Sequence, residues 1–452
     1  MESFVSKHAE QIIGVISGFD RLVFRGVLRA LSYVGGMMMY LGMAGVLLKD
    51  FAEHALAMTK TIKEASLEVA RSAHRPIIYL PSSQTSKEDT AHGIAAKDGI
   101  TTGLVCVLTS VEPCLSYEIF RNRETKHLEL QPRWRKCLHL YHYQIHPQLG
   151  FMHARIQTWF PFNIQICING REWLSRQMDA AGLTYRRQDN CFPWIEDPIA
   201  AQSLMESQLE VNWPQLLHPI VRQINPVHDS LFEAFPIDYY WSVHQSEWAT
   251  DIMFGDRAAL ADLYPTLVHQ AITTFGSPDV MRFLGRKPLI HPSFKGQVVS
   301  DYKDRTEGVR VKHRLNHNSI KVYDKEGSIL RVETTINDPR DFKVFRPREG
   351  KPEDEKDWLP MRKGIADLHR RAQVSEAANE RYVQALASVE ETTPLGKLAE
   401  PLCQPVQWKG KRVRALNLHC PEEVSLLEAI SRGEFAINGF RNRDLQAIRD
   451  GS

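Results

Sequence analysis

The run Asp238-Tyr239-Tyr240-Trp241-Ser242-Val243-His244-Gln245-Ser246-Glu247-Trp248-Ala249-Thr250-Asp251 is the most polar-aromatic stretch of the chain and its first candidate for chemistry. As a helix it would set His244, Glu247 and Asp251 on one face at i, i+3 and i+7, a workable ligand set for a hard divalent cation. As a strand it would set Tyr239, Trp241, Val243, Gln245 and Glu247 on one face and His244 on the other. Either form offers Tyr239 or Tyr240 as a phenol nucleophile. The plainer reading is an aromatic core strand with polar ends. A second set follows at Tyr323-Asp324-Lys325 and, after a short turn, Arg331-Val332-Glu333. Here Asp324 and Glu333 supply two further carboxylates. The cation would be Mg2+ or Mn2+, which polarises a phosphate under attack. The competing reading has Tyr323 packing across a sheet and Asp324 serving the turn.

That second set lies inside a basic segment, about residues 295–348, of a chain whose net charge is only +2. Arg310, Lys312 and Arg314 alternate with Val309, Val311 and Leu315, so a strand sends all three cations to one face. Lys303, Lys321, Lys325, Arg331, Lys343 and Arg346 belong to neighbouring parts of the same segment. Aligned cations suit a phosphate backbone, and each phosphate they neutralise releases counterions. An ordinary solvated sheet face would carry the same charges without a partner. Lys409, Lys411 and Arg412 form a smaller basic cluster beside Trp408, whose indole could stack on a base. Nucleic acid is therefore the expected partner, with DNA favoured over RNA, and a homo-oligomer is compatible.

The elements expected to position these residues make an α+β fold of antiparallel meanders packed with helices. A chain of 452 residues exceeds what one core usually organises. Its expected divisions are a mainly helical region at 1–100 and a meander plus helix at 101–196. Helices with the basic sheet follow at 197–350, and a helical region at 351–452. Residues 12–28 fit either a hairpin or a helix with Arg21, Arg25 and Arg29 as a basic stripe. Five strands are expected between 297 and 345, separated by Glu307-Gly308, Asn316-His317-Asn318 and Lys325-Glu326-Gly327. Residues 361–389 read as a helix, and 421–449 as two short helices. The apolar stretch 34–48 holds four glycines and is too short for a membrane span. Seven widely spread cysteines without a CxxC pair favour a reduced, cytoplasmic protein with no membrane partner and no zinc site. His139, His142, His146 and His153 read as structural groups of a sheet.

The Tyr323-Asp324-Lys325 and Arg331-Val332-Glu333 pair resembles the strand pair of plasmid and filamentous-phage rolling-circle replication initiators. Those proteins nick one strand with a tyrosine and acidic or histidine metal ligands, and the resemblance implies Asp324 as a metal ligand and Glu333, beside Glu247, as a catalytic carboxylate. Ile13-Gly14-Val15-Ile16 leading to Asp20 is similar to the first strand of an RNase-H-like transposase. The glycine and phenylalanine before Asp20 break that pattern, so Asp20 stays outside the candidate set. Over nearly its whole length the chain resembles an abundant bacterial family without an established activity. The resemblance is carried by Gly18-Phe19-Asp20-Arg21-Leu22-Val23-Phe24-Arg25-Gly26, Val111-Glu112-Pro113-Cys114 and Ala154-Arg155-Ile156-Gln157-Thr158-Trp159-Phe160-Pro161-Phe162. Gln245-Ser246-Glu247-Trp248-Ala249-Thr250-Asp251 and Asn438-Gly439-Phe440-Arg441-Asn442-Arg443-Asp444-Leu445 complete it. Longer members continue into a winged helix-turn-helix, which implies a truncated module here, lacking its recognition helix and wing. The expected function is DNA processing of replication-initiator or mobile-element type, by metal-dependent nicking or strand transfer. Its rivals are a non-enzymatic DNA- or RNA-binding protein, as a regulator or ribonucleoprotein component, and an interaction protein that never touches nucleic acid.

Overall fold

The computed structural model describes residues 1–82, 84–286, 298–305, 308–348, 350–351, 353, 355–387, 399–418, 420–430, 441 and 445–446. Alternating β-branched and aromatic residues build long strands rather than many short ones. They are β1 (Ile12–Leu28), β2 (Ile77–Tyr79), β3 (Gly103–Arg121), β4 (Leu128–His146), β5 (Gly150–Gln157) and β6 (Ile164–Asn169). A small hairpin, β7 (Tyr185–Gln188) and β8 (Cys191–Ile195), precedes β9 (Tyr239–Phe254). The meander is β10 (Val298–Arg305), β11 (Gly308–Leu315), β12 (Asn318–Lys325) and β13 (Ile329–Ile336). One eleven-stranded sheet joins them in the order β10-β11-β12-β13-β9-β1-β6-β5-β4-β3-β2, with β7 and β8 apart. Every neighbouring pair is antiparallel except β2 and β3.

The fold is α+β. Its sheet crosses three of the expected divisions, because β1 from the first region lies between β6 of the second and β9 of the third. Residues 12–28 are neither helix nor hairpin but one unbroken strand. Its arginine spacing of four suits a strand as well as a helix, since i and i+4 also share a sheet face. The meander keeps four of its five expected strands. Residues 343–346 leave it as β14 (Lys343–Arg346), which pairs with β15 (Asp357–Pro360) in a separate two-stranded sheet. Lys409 sits in the turn of a further small hairpin, β16 (Val406–Trp408) with β17 (Lys411–Val413). Most of the expected second C-terminal helix lies outside the described residues.

The described helices are α1 (Glu2–Lys7), α2 (Val34–Met43), α3 (Phe51–Ser72), α4 (Lys87–Asp98), α5 (Gly170–Ala181), α6 (Pro198–Glu206), α7 (Trp213–Ile224), α8 (His228–Leu231), α9 (Arg257–Thr273), α10 (Ser277–Phe283), α11 (Leu368–Ala387) and α12 (Pro421–Ile430), the first of the two helices expected at the C-terminal end. One face of the sheet, the back, is covered. There Ser66 of α3 bonds His142 at 2.7 Å and Trp213 of α7 packs on Phe24. Asn379 of α11 donates to the Trp248 and Val332 carbonyls and accepts from Thr334, which ties that helix to β9 and β13. The front is covered only in parts. Ala91 and Ala95 of α4 pack over β3–β5, while Met205 of α6 closes over Gly18. Between these covers the front of β1, β6 and β9 lies open. No single described helix is long and apolar enough to cross a membrane.

Candidate metal centre

Strict alternation along β1 would put Asp20 and Arg21 on opposite faces. They share the front because β1 carries a bulge: Phe19 pairs with Trp248 and Arg21 with Glu247, which leaves Asp20 as the extra residue. The bulge is held from both sides. Phe19 packs edge-on to Trp248 behind the sheet, with ring centres 4.8 Å apart. In front, Gly170 at the start of α5 presses on the Phe19 backbone so closely that a Cβ there would stand 1.6 Å from the carbonyl oxygen. Only glycine fits that contact.

From this point the front faces of four neighbouring strands converge. Glu247 lies opposite Arg21 across β1 and β9, and Arg331 and Glu333 of β13 lie opposite Asp251 and Ala249 of β9. Lys321 and Tyr323 of β12 face Glu333 and Arg331 in turn. The carboxylates of Asp20, Glu247 and Glu333 come within 4.8 Å of one another. Three strands thus deliver three acids to one point.

Beside them runs a buried ion network that fixes the geometry. Asp251 is gripped by Arg171, whose Nη2 lies at 2.9 Å, and by Arg331, whose Nε and Nη2 lie at 2.5 and 2.8 Å. Burial opposes its charge, but the two guanidiniums hold its carboxyl below the ordinary range. Arg331 also reaches Asp20 at 3.5 Å. Asn190, from the β7–β8 turn, donates to both Asp20 oxygens at 3.0 and 3.2 Å. The same turn is pinned by Asp189, which pairs with Lys325 at 2.6 Å.

Glu247 and Glu333 behave differently from Asp251. Burial and the neighbouring Glu333 push the Glu247 carboxyl up to about 8. Burial works against Glu333 too, yet Lys321, 2.6 Å away, outweighs it and keeps Glu333 ionised. The two carboxyls lie close enough to act on each other, and of the pair it is Glu247 that is driven to hold a proton. Tyr323 donates to the other Glu333 oxygen at 3.1 Å; burial, then that carboxylate, raises the phenol well above its ordinary value. A divalent cation would displace the Glu247 proton and take oxygen donors alone, the set Mg2+ and Mn2+ prefer. Asn190 Oδ1, buried without a hydrogen-bond partner, adds a neutral oxygen on the wall of the same cleft.

The acids lie in a polar cleft of about 360 Å³, walled by Asp189 and Asn190 on one side and by Glu88, Asp89 and His92 on the other. A second hollow of about 520 Å³ shares Arg21, Glu88, His153 and Cys167 with it and extends it toward Arg155 and His244.

The structure brings together Glu247 and Glu333, the two acids of the candidate catalytic set, and separates the rest of that set from them. Tyr239 and Tyr240 stand eight and seven residues from Glu247 on the same strand, roughly 23–26 Å away. Tyr239 is buried and donates to the Phe162 carbonyl, while Tyr240 lies under Arg29. The helical ligand set fails because residues 239–254 form a strand. Asp251 is consumed by its arginines, and Asp324 alternates to the opposite side of β12 from Tyr323. His244 is the extra residue of a second bulge, where Val23 pairs with Gln245 and Phe24 with Val243, and it lines the second hollow rather than the acids.

The basic residues divide as well. Arg310, Lys312 and Arg314 share the front of β11, continuous with Lys303 of β10. Burial, then Lys321, Arg310 and Arg314, push Lys312 below its ordinary value, the mark of crowded cations. Lys321, Lys325 and Arg331 are instead committed to Glu333, Asp189 and Asp251. Arg346 is buried against the Pro360 carbonyl, and Lys343 leaves the sheet with β14. Arg314 is half-spent on Asp301 at 3.5 Å. Lys409, Lys411 and Arg412 belong to the separate β16–β17 hairpin. The missed residues are Asp20, Arg171 and Asn190. The acid inside Gly18-Phe19-Asp20-Arg21 was the available signal, masked by the bulge.

Comparison with protein-family models, curated proteins and solved structures gives no match. The site must be read from its own geometry.

Proposed function

We propose that the chain is a metal-dependent nucleic-acid-processing enzyme that breaks a phosphodiester bond at the Asp20, Glu247 and Glu333 cluster. The observation that carries this reading is the meeting of three carboxylates from three adjacent strands on the floor of a cleft continuous with cationic surface. Mg2+ or Mn2+ held there would polarise the scissile phosphate and supply hydroxide at neutral pH. Lys321 and Tyr323 would hold Glu333 in place, and Arg331 would keep Asp20 oriented. Arg310, Lys312 and Lys303 would bear on the phosphates of one flank. DNA is the preferred substrate and RNA the comparison.

The test is nicking of end-labelled single-stranded and supercoiled DNA, with RNA in parallel, in Mg2+, Mn2+ and chelator. Cleavage that needs the cation and is lost in Asp20→Asn, Glu247→Gln and Glu333→Gln supports the proposal. Cleavage that survives all three overturns it.

A second reading uses the Tyr323 hydroxyl, which lines the cleft, as nucleophile for strand transfer. Tyr323→Phe would then abolish cleavage and the covalent adduct, whereas a supporting role for Tyr323 leaves cleavage within about tenfold of the parent.

A further inference from the structure

The hollow beyond Arg21 is not needed to hold a cation, and its charge is arranged unlike that of the acidic centre. Arg21, Val23 and Arg25 alternate on the front of β1, opposite Asn169, Cys167 and Gln165 of β6. The next strand adds Arg155, opposite Gln165, and His153, opposite Cys167. His244, turned forward by the second bulge, lines the far end with Arg155, and Arg25 and Lys363 stand just beyond the rim, close enough to act on the His244 charge. Among the described residues, Arg25, His244 and Lys363 have no carboxylate within ion-pair distance. Arg155 is held by Gln165 at 3.0 Å and lies 3.6 Å from Glu112. Glu112 is itself engaged by Ser110, Tyr141 and Lys87. The surplus of positive charge shows in the neighbouring groups. Arg25 is depressed by burial and then by Arg155, and His244 by burial and then by Arg25, Lys363 and Arg155. Cations that outnumber the acids among them bear a standing repulsion, and an anion relieves it.

We infer that the Arg25, Arg155, His244 and Lys363 end of the groove is a subsite for the phosphates of single-stranded nucleic acid flanking the bond to be broken. The inference rests on the proposed function and adds a strand path and a minimum substrate length. From Arg21 to Arg25 is four strand residues, about 13 Å, further than the reach of one nucleotide from the acidic centre. The strand would leave the acids along β1 toward Arg25, away from the β11 cations, so that one flank lies on each side of the centre. The β7–β8 turn and Glu88 wall the path at the acids, and Thr85–Glu88 continues as its wall toward Arg155, which suits a single strand better than a duplex.

The test measures binding of fluorescent oligothymidylates by anisotropy, in calcium and in chelator, with a dinucleotide and a hexanucleotide. The parent should bind the hexanucleotide more tightly than the dinucleotide. Arg25→Ala combined with Arg155→Ala should cost the hexanucleotide roughly tenfold in affinity and flatten the salt dependence. Because those side chains are half-buried, His244→Ala with Lys363→Glu, both at exposed positions, is the second variant and should show the same loss. Retention of the full length preference in either folded variant overturns the inference, as does equal binding of a blunt duplex that ignores both variants. Binding needs no cleavage, so this result stands apart from the nicking assay: a protein that cuts but lacks the length preference refutes the subsite alone.

Discussion

Glu247→Gln should stabilise the metal-free protein while abolishing the proposed cleavage, and the size of the gain follows from one carboxyl. An unfolded glutamate titrates near ~4.3, whereas the native Glu247 carboxyl is raised to about 8 by burial and then by Glu333. Between these values the native state holds a proton that the unfolded state has released, so stability falls as pH rises through that window. Below the window Glu247 imposes no penalty, and above about pH 8 the penalty is complete. At ~1.4 kcal/mol per unit the ceiling is about 5 kcal/mol. The Glu247 and Glu333 charges depend on each other and the surroundings relax, so about 2–3 kcal/mol is the expected loss. Glutamine keeps the shape and cannot ionise. Urea unfolding followed by tryptophan fluorescence, from pH 5 to 9 in chelator, should show the parent losing stability relative to the variant as pH rises. Saturating Mn2+ should reverse the order at high pH, because a cation bound only by the native parent adds stability. Parallel pH profiles for the two proteins, or a variant less stable at pH 9, would refute the reasoning.

Other consequences are equally direct. Asp251→Ala should cost about 3–5 kcal/mol, since it strands Arg171 and Arg331 in the interior; denaturant midpoints measure it. Gly170→Ala should lower the expression and melting temperature of the chain far more than Gly18→Ala. The first drives a methyl into the Phe19 carbonyl, the second into the movable end of Met205. Tyr239→Phe should cost about 1 kcal/mol through the lost bond to Phe162 and leave nicking intact. Tyr240→Phe should change neither stability nor nicking, which would separate the aromatic end of β9 from the chemistry.

What could be read from the amino-acid sequence was set by period. Arg310, Lys312 and Arg314 obey strict alternation, and β11 displays them as that pattern requires. Residues 239–254 were undecidable because His244, Glu247 and Asp251 fit a helical face as well as an interrupted strand. The strand won through pairing with β1 and β13 on both sides. Asp20 was hidden by a bulge, a one-residue insertion that breaks the period by which a strand is recognised. Composition could not show which cations are spent internally. Lys325 finds Asp189 across 136 residues and Arg331 finds Asp251 across 80, distances at which no local pattern speaks. Long-range ion pairs, rather than local propensity, therefore decided which parts of the basic face remain open to a ligand.

The most direct measurement is a Mn2+ titration of the full chain at pH 8, followed by electron paramagnetic resonance of the free ion. Tight stoichiometric binding by the parent, lost in Glu333→Gln and in Asp20→Asn and weakening as pH falls below the Glu247 titration, is the expected result. Binding that is absent in the parent, or unchanged by either substitution, would contradict a cation centre at the junction of β1, β9 and β13.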